Sequence, residues 1–231
     1  MKLPVSCRLL ACAGFVCPGD RVADIGCDHG YLGIHLLQSG IAQSVIASDI
    51  NEGPLQSAMI NAAKFGVKDR MEFYLSNGAR NIPRDFDTMI CAGMGADTMV
   101  QILEDAPWLK DSRYRLILQC QSKTPMLRKY LSSQGWRICE ESCLRDGRFL
   151  YTVMEVCYEP GREPLTPGEC YFPPALLENP GQALPEYYRW VLEGLRISLA
   201  HQNDLEKQQV LTELLELTEC SELSWLKEEK S

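Results

Sequence analysis

Residues 24–30 read Asp24-Ile25-Gly26-Cys27-Asp28-His29-Gly30, and the fold is decided by how this turn is read. Val22 to Ile25 form a short apolar strand leading into it, and Tyr31 to Gln38 leave it with apolar residues at helical spacing. The unit is therefore strand, glycine turn, helix. Gly26 and Gly30 let the backbone bend sharply and let a ligand approach with no Cβ in the way, while the following helix presents the positive end of its dipole. A dinucleotide fingerprint has three glycines feeding a pyrophosphate. Here the middle position is Asp28, whose carboxylate repels phosphate, so the turn suits a ligand without phosphates.

Working outward, Gln43 to Ile50 reads as strand, Pro54 to Phe65 as amphipathic helix, Met71 to Leu75 as strand, and Phe86 to Ala92 as a strand entering a second glycine turn. Arg115 to Gln119 reads as strand, Thr124 to Gln134 as helix, and Trp136 to Arg145 and Arg148 to Tyr158 as two strands joined by a hairpin turn at Asp146-Gly147. Alternating strands and helices require crossovers, which are right-handed, and give a mostly parallel sheet covered on both faces. The expected fold class is α/β, a Rossmann-like core of seven strands closed by an antiparallel hairpin. That ending separates the methyltransferase variant from the dehydrogenase variant. The core is expected over 1–158, a Pro- and Gly-rich linker over 159–185, and an antiparallel helical hairpin over 186–231, where Val191, Leu195, Leu199, Leu211, Leu214, Leu215 and Thr218 fall at helical spacing.

S-adenosylmethionine meets the ligand requirement, because it carries a sulfonium, an ammonium and an adenosine but no phosphate. Asp24 and Asp28 then make electrostatic sense, and Cys27 and His29 stand on the same turn. Asp49, with Ile50 beside it, ends the second strand, where an acidic residue accepts hydrogen bonds from ribose hydroxyls. A plain helix-capping role is the alternative for Asp49 and for Asp28. Asn77-Gly78 follows the third strand, placed to meet the adenine edge. Gly93-Met94-Gly95 follows the fourth, where backbone carbonyls would face an incoming nucleophile.

With 231 residues, 45 % hydrophobic and 23 % charged, the chain has the composition of a soluble globular protein. No apolar stretch approaches the ~20 residues of a membrane span and no secretory leader is visible, so a cytoplasmic protein is expected. Several of the eleven cysteines lie in apolar settings such as Thr88-Met89-Ile90-Cys91, which suits reduced, packed thiols. With no C-x-x-C pair and three histidines, no metal site is expected. The net charge of -8 argues against a globally basic nucleic-acid binder but leaves room for a local basic patch.

The strings Ala23-Asp24-Ile25-Gly26-Cys27-Asp28-His29-Gly30-Tyr31-Leu32, Gly53-Pro54-Leu55-Gln56-Ser57-Ala58 and Ala92-Gly93-Met94-Gly95 resemble the bacterial tRNA (adenine-22-N1)-methyltransferase family, TrmK. Ser6-Cys7-Arg8-Leu9 and Leu116-Ile117-Leu118-Gln119 extend the resemblance across nearly the whole core. It implies methyl transfer to N1 of an adenosine in the D-arm region of tRNA, with a coiled-coil-like C-terminal hairpin. Four positions depart from the family: Ala96 stands where a second glycine is usual, Cys120 and Gln121 follow Gln119 where Gln-Pro-Asn is usual, and Cys7 stands where lysine is common. On this reading Asp28 orients the base or stabilises the cationic product. Arg8, Arg80, Arg128 and Lys129 are candidate phosphate contacts, and Tyr31 is a candidate stacking partner for a flipped adenine. A small-molecule methyltransferase and a non-enzymatic cofactor-binding interaction protein are the competing readings.

Overall fold

The computed structural model describes residues 3–179 and 181–217. In chain order the elements are α1 Cys7–Gly14, β1 Arg21–Ile25, α2 Tyr31–Gln38, β2 Ser44–Asp49, α3 Glu52–Lys64, β3 Met71–Leu75, β4 Thr88–Met94, α4 Ala96–Asp105, β5 Arg115–Cys120, α5 Thr124–Ser133, β6 Trp136–Asp146 and β7 Phe149–Tyr158. Four helices follow: α6 Pro167–Tyr171, α7 Pro174–Glu178, α8 Leu184–His201 and α9 Leu205–Leu217. One seven-stranded sheet has the order β3-β2-β1-β4-β5-β7-β6. Its first five strands run parallel, and β7 is antiparallel to both β5 and β6. The Rossmann-like expectation holds, including the closing hairpin.

The apolar runs of the central strands are continuous because both faces are covered. Ala23, Ile25, Met89, Cys91, Leu116 and Leu118 face Met99 and Ile102 of α4 and Leu127 and Leu131 of α5. Val22, Val45, Ala47, Ile90 and Ile117 face the opposite way, against Cys12 of α1, Ile34 and Leu37 of α2, and Leu55 and Ala58 of α3.

Several expectations shift. In the hairpin, Asp146 pairs with Phe149, so the two-residue turn is Gly147-Arg148, one residue later than expected. Gly147 has φ +61°, which that turn requires. Helix α1, capped by the Ser6 hydroxyl accepting from the Leu9 N–H, is an element the sequence reading did not include. Residues 159–185, expected as a linker, contain α6 and α7. The signal was a capping box, Thr166-Pro167-Gly168-Glu169, with both reciprocal hydrogen bonds formed. Phe172 and Leu176 are buried with Cys143 of β6 and with Tyr187, Val191, Leu195, Val210 and Leu214 of the last two helices. Tyr188 of α8 donates its hydroxyl to the Leu214 carbonyl of α9 at 2.7 Å, as an antiparallel pair requires. Thr218 and the rest of the expected hairpin lie outside the described residues.

Arg128 corrects a functional expectation. Expected at a tRNA phosphate, it is fully buried under α5, where Nη2 and Nε meet Glu141 of β6 at 2.6 and 3.1 Å. Its Nη1 donates to the carbonyls of Cys170 and Tyr171 at 2.9 and 2.8 Å. These are the end of α6, whose last carbonyls have no intrahelical partner. One guanidinium thus ties the core to the helices that follow it and has no face left for RNA. Removing one member of a buried pair leaves the other charge stranded. Arg128→Ala is therefore expected to cost about 3–5 kcal/mol, read as a fall in the urea unfolding midpoint.

Candidate active site

The strand order reverses between β1 and β4, and in open α/β sheets ligands bind in the crevice beyond the carboxyl ends of strands at such a point. A cavity of about 250 Å³ lies there. Its walls include Arg8, Asp24, Gly26, Cys27, Asp28, His29, Tyr31, Gly93 and Met94, so nine residues singled out from the sequence converge.

The turn is held by β2. The Ser48 carbonyl accepts the N–H groups of both Gly26 and Cys27, at 2.8 and 2.9 Å. Gly26, Asp28 and Gly30 have φ of +72°, +50° and +71°. Asp49 stands behind the turn, its Oδ2 accepting the Asp28 N–H at 3.2 Å and its Oδ1 the Asn51 N–H at 2.9 Å. Gly30 has a packing role: a Cβ there would lie 2.9 Å from the Ala58 Cβ of α3. The Met94 side chain lies across Gly26, occupying the space a Cβ would need.

Asp24, next to last in β1, lies in the cleft wall and is 4 % exposed, with Oδ2 lacking any hydrogen-bond partner. Burial, reinforced by the nearby Asp49 carboxylate and opposed by the Gly33 N–H, pushes its pKa up to about 7. Asp28 and His29 are exposed on the rim, with Asp28 Oδ1 3.7 Å from His29 Nε2. Tyr31 is half-buried, its ring 5.7 Å from that of His29.

Gln119, which the sequence placed only within a string at the pocket edge, has a specific role in the site. Fully buried at the end of β5, its Oε1 accepts the Gly93 N–H and an Arg8 Nη1–H, each at 3.0 Å. Gly93 has φ +83° and interrupts the β4–β5 register between Ala92 and Met94. A Cβ on Gly93 would come 2.7 Å from Arg8 Nη1. Arg8 therefore sits inside the cleft, with Tyr151 5.9 Å away, and not on an outer basic surface. The available signal was a lone polar residue closing the apolar run Leu116-Ile117-Leu118.

Other expected residues lie elsewhere. Ile50, 60 % exposed, and exposed Asn77 follow β2 and β3 outside this cavity, on the flank beyond Asp49. Gly78 packs against Ile102 of α4, and Gly95 lies beside Ser122. Arg80 is paired with Asp105 at 2.7 Å, and exposed Lys129 with Glu206 of α9 at 2.6 Å. A second, larger cavity of about 550 Å³ adjoins the cleft through Gln121, between the loop 121–123 with the start of α5, Tyr151, and α8 with its exposed Trp190.

A methyltransferase domain family matches residues 5–154. The chain belongs to that family. It is 29 % identical over 154 residues to the tRNA (adenine(22)-N(1))-methyltransferase of Bacillus subtilis, a match covering 66 % of this chain and 65 % of that protein. A Mycoplasma genitalium protein, MG248, is 30 % identical over 138 residues, 58 % of this chain and 61 % of its own. The matched stretch thus spans less than two thirds of each of these relatives. The solved structure of Streptococcus pneumoniae Sp1610 in complex with S-adenosyl-L-methionine superposes with a TM-score of 0.80 at 30 % identity, covering 91 % of this chain and 99 % of that one.

In this methyltransferase, Asp24 carries a stability cost with a defined pH dependence. Its folded pKa lies above the unfolded value, so the cost is absent below pH 3.8, where the carboxyl is neutral in both states, and grows as pH rises toward about 7. Asp24→Asn has no such titration. Its stability advantage over the wild type is expected to grow between pH 4 and 7 and level off above, as measured by urea midpoints across that range. A constant difference would remove the buried carboxylate from the account.

Proposed function

We propose that this methyltransferase transfers a methyl group from S-adenosylmethionine to N1 of adenosine 22 in bacterial tRNA. The observation that carries the cofactor half of this reading is the buried, unpartnered Asp24 oxygen at the mouth of a glycine turn. A cationic ligand compensates that carboxylate, whereas a pyrophosphate would meet Asp24, Asp28 and Asp49 together. The bound cofactor supplies a methyl group on an electrophilic sulfonium. Asp49, gripped by two backbone N–H groups, is preset to accept hydrogen bonds from the ribose hydroxyls. Asp24 faces the positively charged amino-acid end. Ile50 and Asn77 lie where the adenine of the cofactor would rest.

The tRNA half is supported by the likeness to the Bacillus subtilis enzyme and by the room beside the cleft. Adenine N1 carries its own lone pair, so the protein's task is placement and no strong base is required. Asp28 on the rim orients the exocyclic amine and stabilises the positive charge that N1 methylation creates. Arg8, fixed by Gln119, keeps guanidinium N–H groups free for a phosphate of the target nucleotide, and Tyr31 offers a stacking face. Lys129 reaches RNA only by leaving Glu206, and Arg128 takes no part. A tRNA substrate places the protein in the cytoplasm. Among the described residues no helix is long and apolar enough to cross a membrane.

Incubation with methyl-labelled cofactor and unmodified bacterial tRNA is expected to label the RNA and to block primer extension at position 22. Intact cofactor binding without incorporation would favour a small-molecule substrate or a binding role and sink the tRNA assignment. Asp49→Ala is expected to weaken cofactor binding roughly 10- to 100-fold, the loss of hydrogen bonds to a charged group, as read by calorimetry. Asp28→Asn is expected to lower kcat by about 100-fold with cofactor affinity little changed, and full turnover would remove Asp28 from the chemistry.

A further inference from the structure

At the end of the sheet opposite the cleft, Cys139, Glu155 and Cys157 bring two thiols and a carboxylate together, with ligand atoms all within 4.8 Å of one another. The strands impose this. Glu155 and Cys157, two apart on β7, share a face. Ile138 pairs with Val156 and Glu140 with Glu155, which makes Cys139 the extra residue of a β-bulge that turns its side chain toward them. The two sulfur atoms are 2.9 Å apart, closer than the roughly 3.5–4.0 Å at which even carbon atoms rest in contact.

The neighbouring cations are already engaged. Arg115 is bound to Asp20 at 2.5 Å and to Thr88 at 3.0 Å, and stands 3.7 Å from Glu155. Arg137 is paired with Glu159 at 3.0 Å. All three candidate ligands are half-buried, so an ion could enter from solvent. We propose that Cys139, Cys157 and Glu155 bind one thiophilic divalent cation of the zinc class, with water completing a tetrahedron.

Zinc–sulfur bonds of about 2.3 Å place two sulfurs roughly 3.8 Å apart in a tetrahedron, so the thiols need open by less than ~1 Å. On binding, two S–H bonds break, two metal–sulfur bonds form, and up to two protons pass to solvent. The Cys139 thiol donates to Cys157 Sγ, so the two sulfurs already converge on one point. The sequence reading expected no metal because the ligands come from two strands and form no C-x-x-C pair.

The test is a titration of the full-length, reduced, metal-free protein with Co²⁺. One equivalent is expected to produce a thiolate-to-cobalt charge-transfer band and the visible bands of a tetrahedral ion, both bleached by Zn²⁺. Cys139→Ser/Cys157→Ser is expected to lose the bands, and Glu155→Gln to weaken binding while keeping the sulfur-derived band. If the double variant unfolds, Cys139→Ser alone reads the same loss, with circular dichroism confirming its fold. No band in the wild type, an equal band in the double variant, or a Cys139–Cys157 disulfide mapped in protein held in reductant would each overturn the site.

Discussion

The parallel pairing of β1 on both of its edges is the constraint on which the site depends. Val22 to Ile25 are laddered to β2 on one side and β4 on the other, so the carboxyl ends of three strands finish level. The reversal of chain direction around the sheet then leaves a gap above β1 that no crossover helix fills. The cleft is lined by the ends of β1 and β4 and the turn leaving β1, with Arg8 of α1 and Tyr31 of α2 closing its sides. The Ser48 carbonyl couples two of the strand ends directly, because by accepting two successive N–H groups it fixes the glycine turn of β1 to the end of β2.

Within that frame the cleft opposes stability locally. A carboxylate is buried with an oxygen unsatisfied, a non-glycine residue takes a left-handed conformation at Asp28, and a glycine breaks the register of β4. Each feature costs free energy in the free protein, and such features persist where the surrounding structure over-determines them. Here that support is the two-sided core, in which apolar side chains above and below the sheet hold the strands without help from the cleft. The Gln119 amide performs the matching task on the far wall, joining the Gly93 backbone to Arg8 of α1 through one buried oxygen.

The C-terminal helices are coupled to this core by a charge as well as by apolar packing. Arg128 and Glu141 neutralise each other in a site with no solvent, and the remaining guanidinium donors cap the end of α6. Arginine suits this role because its fork meets a carboxylate and two carbonyls at once in fixed directions. The helices therefore hold a set position beside the larger cavity that adjoins the cleft, which a plain linker over 159–185 would not enforce.

Local patterning determined the core elements and the glycine turn, because strand and helix periodicity and positive-φ glycines are properties of neighbouring residues. Asp24, Asp28, Asp49, Gly26 and Gly93 were legible for that reason: each closes a strand or forms the turn just beyond it. The roles of Arg8, Arg128 and Gln119 were not legible, since a basic or polar side chain reads the same on a surface as in a buried network until its distant partner is known. Glu141 lies on another element from Arg128, and Gln119 is 111 residues from Arg8. The Cys139–Glu155–Cys157 cluster is of the same kind. Its chemistry is in the residue types, but only the pairing of β6 with β7 and a one-residue bulge bring the three groups within reach of one ion, because sheet register, not sequence spacing, sets which side chains meet.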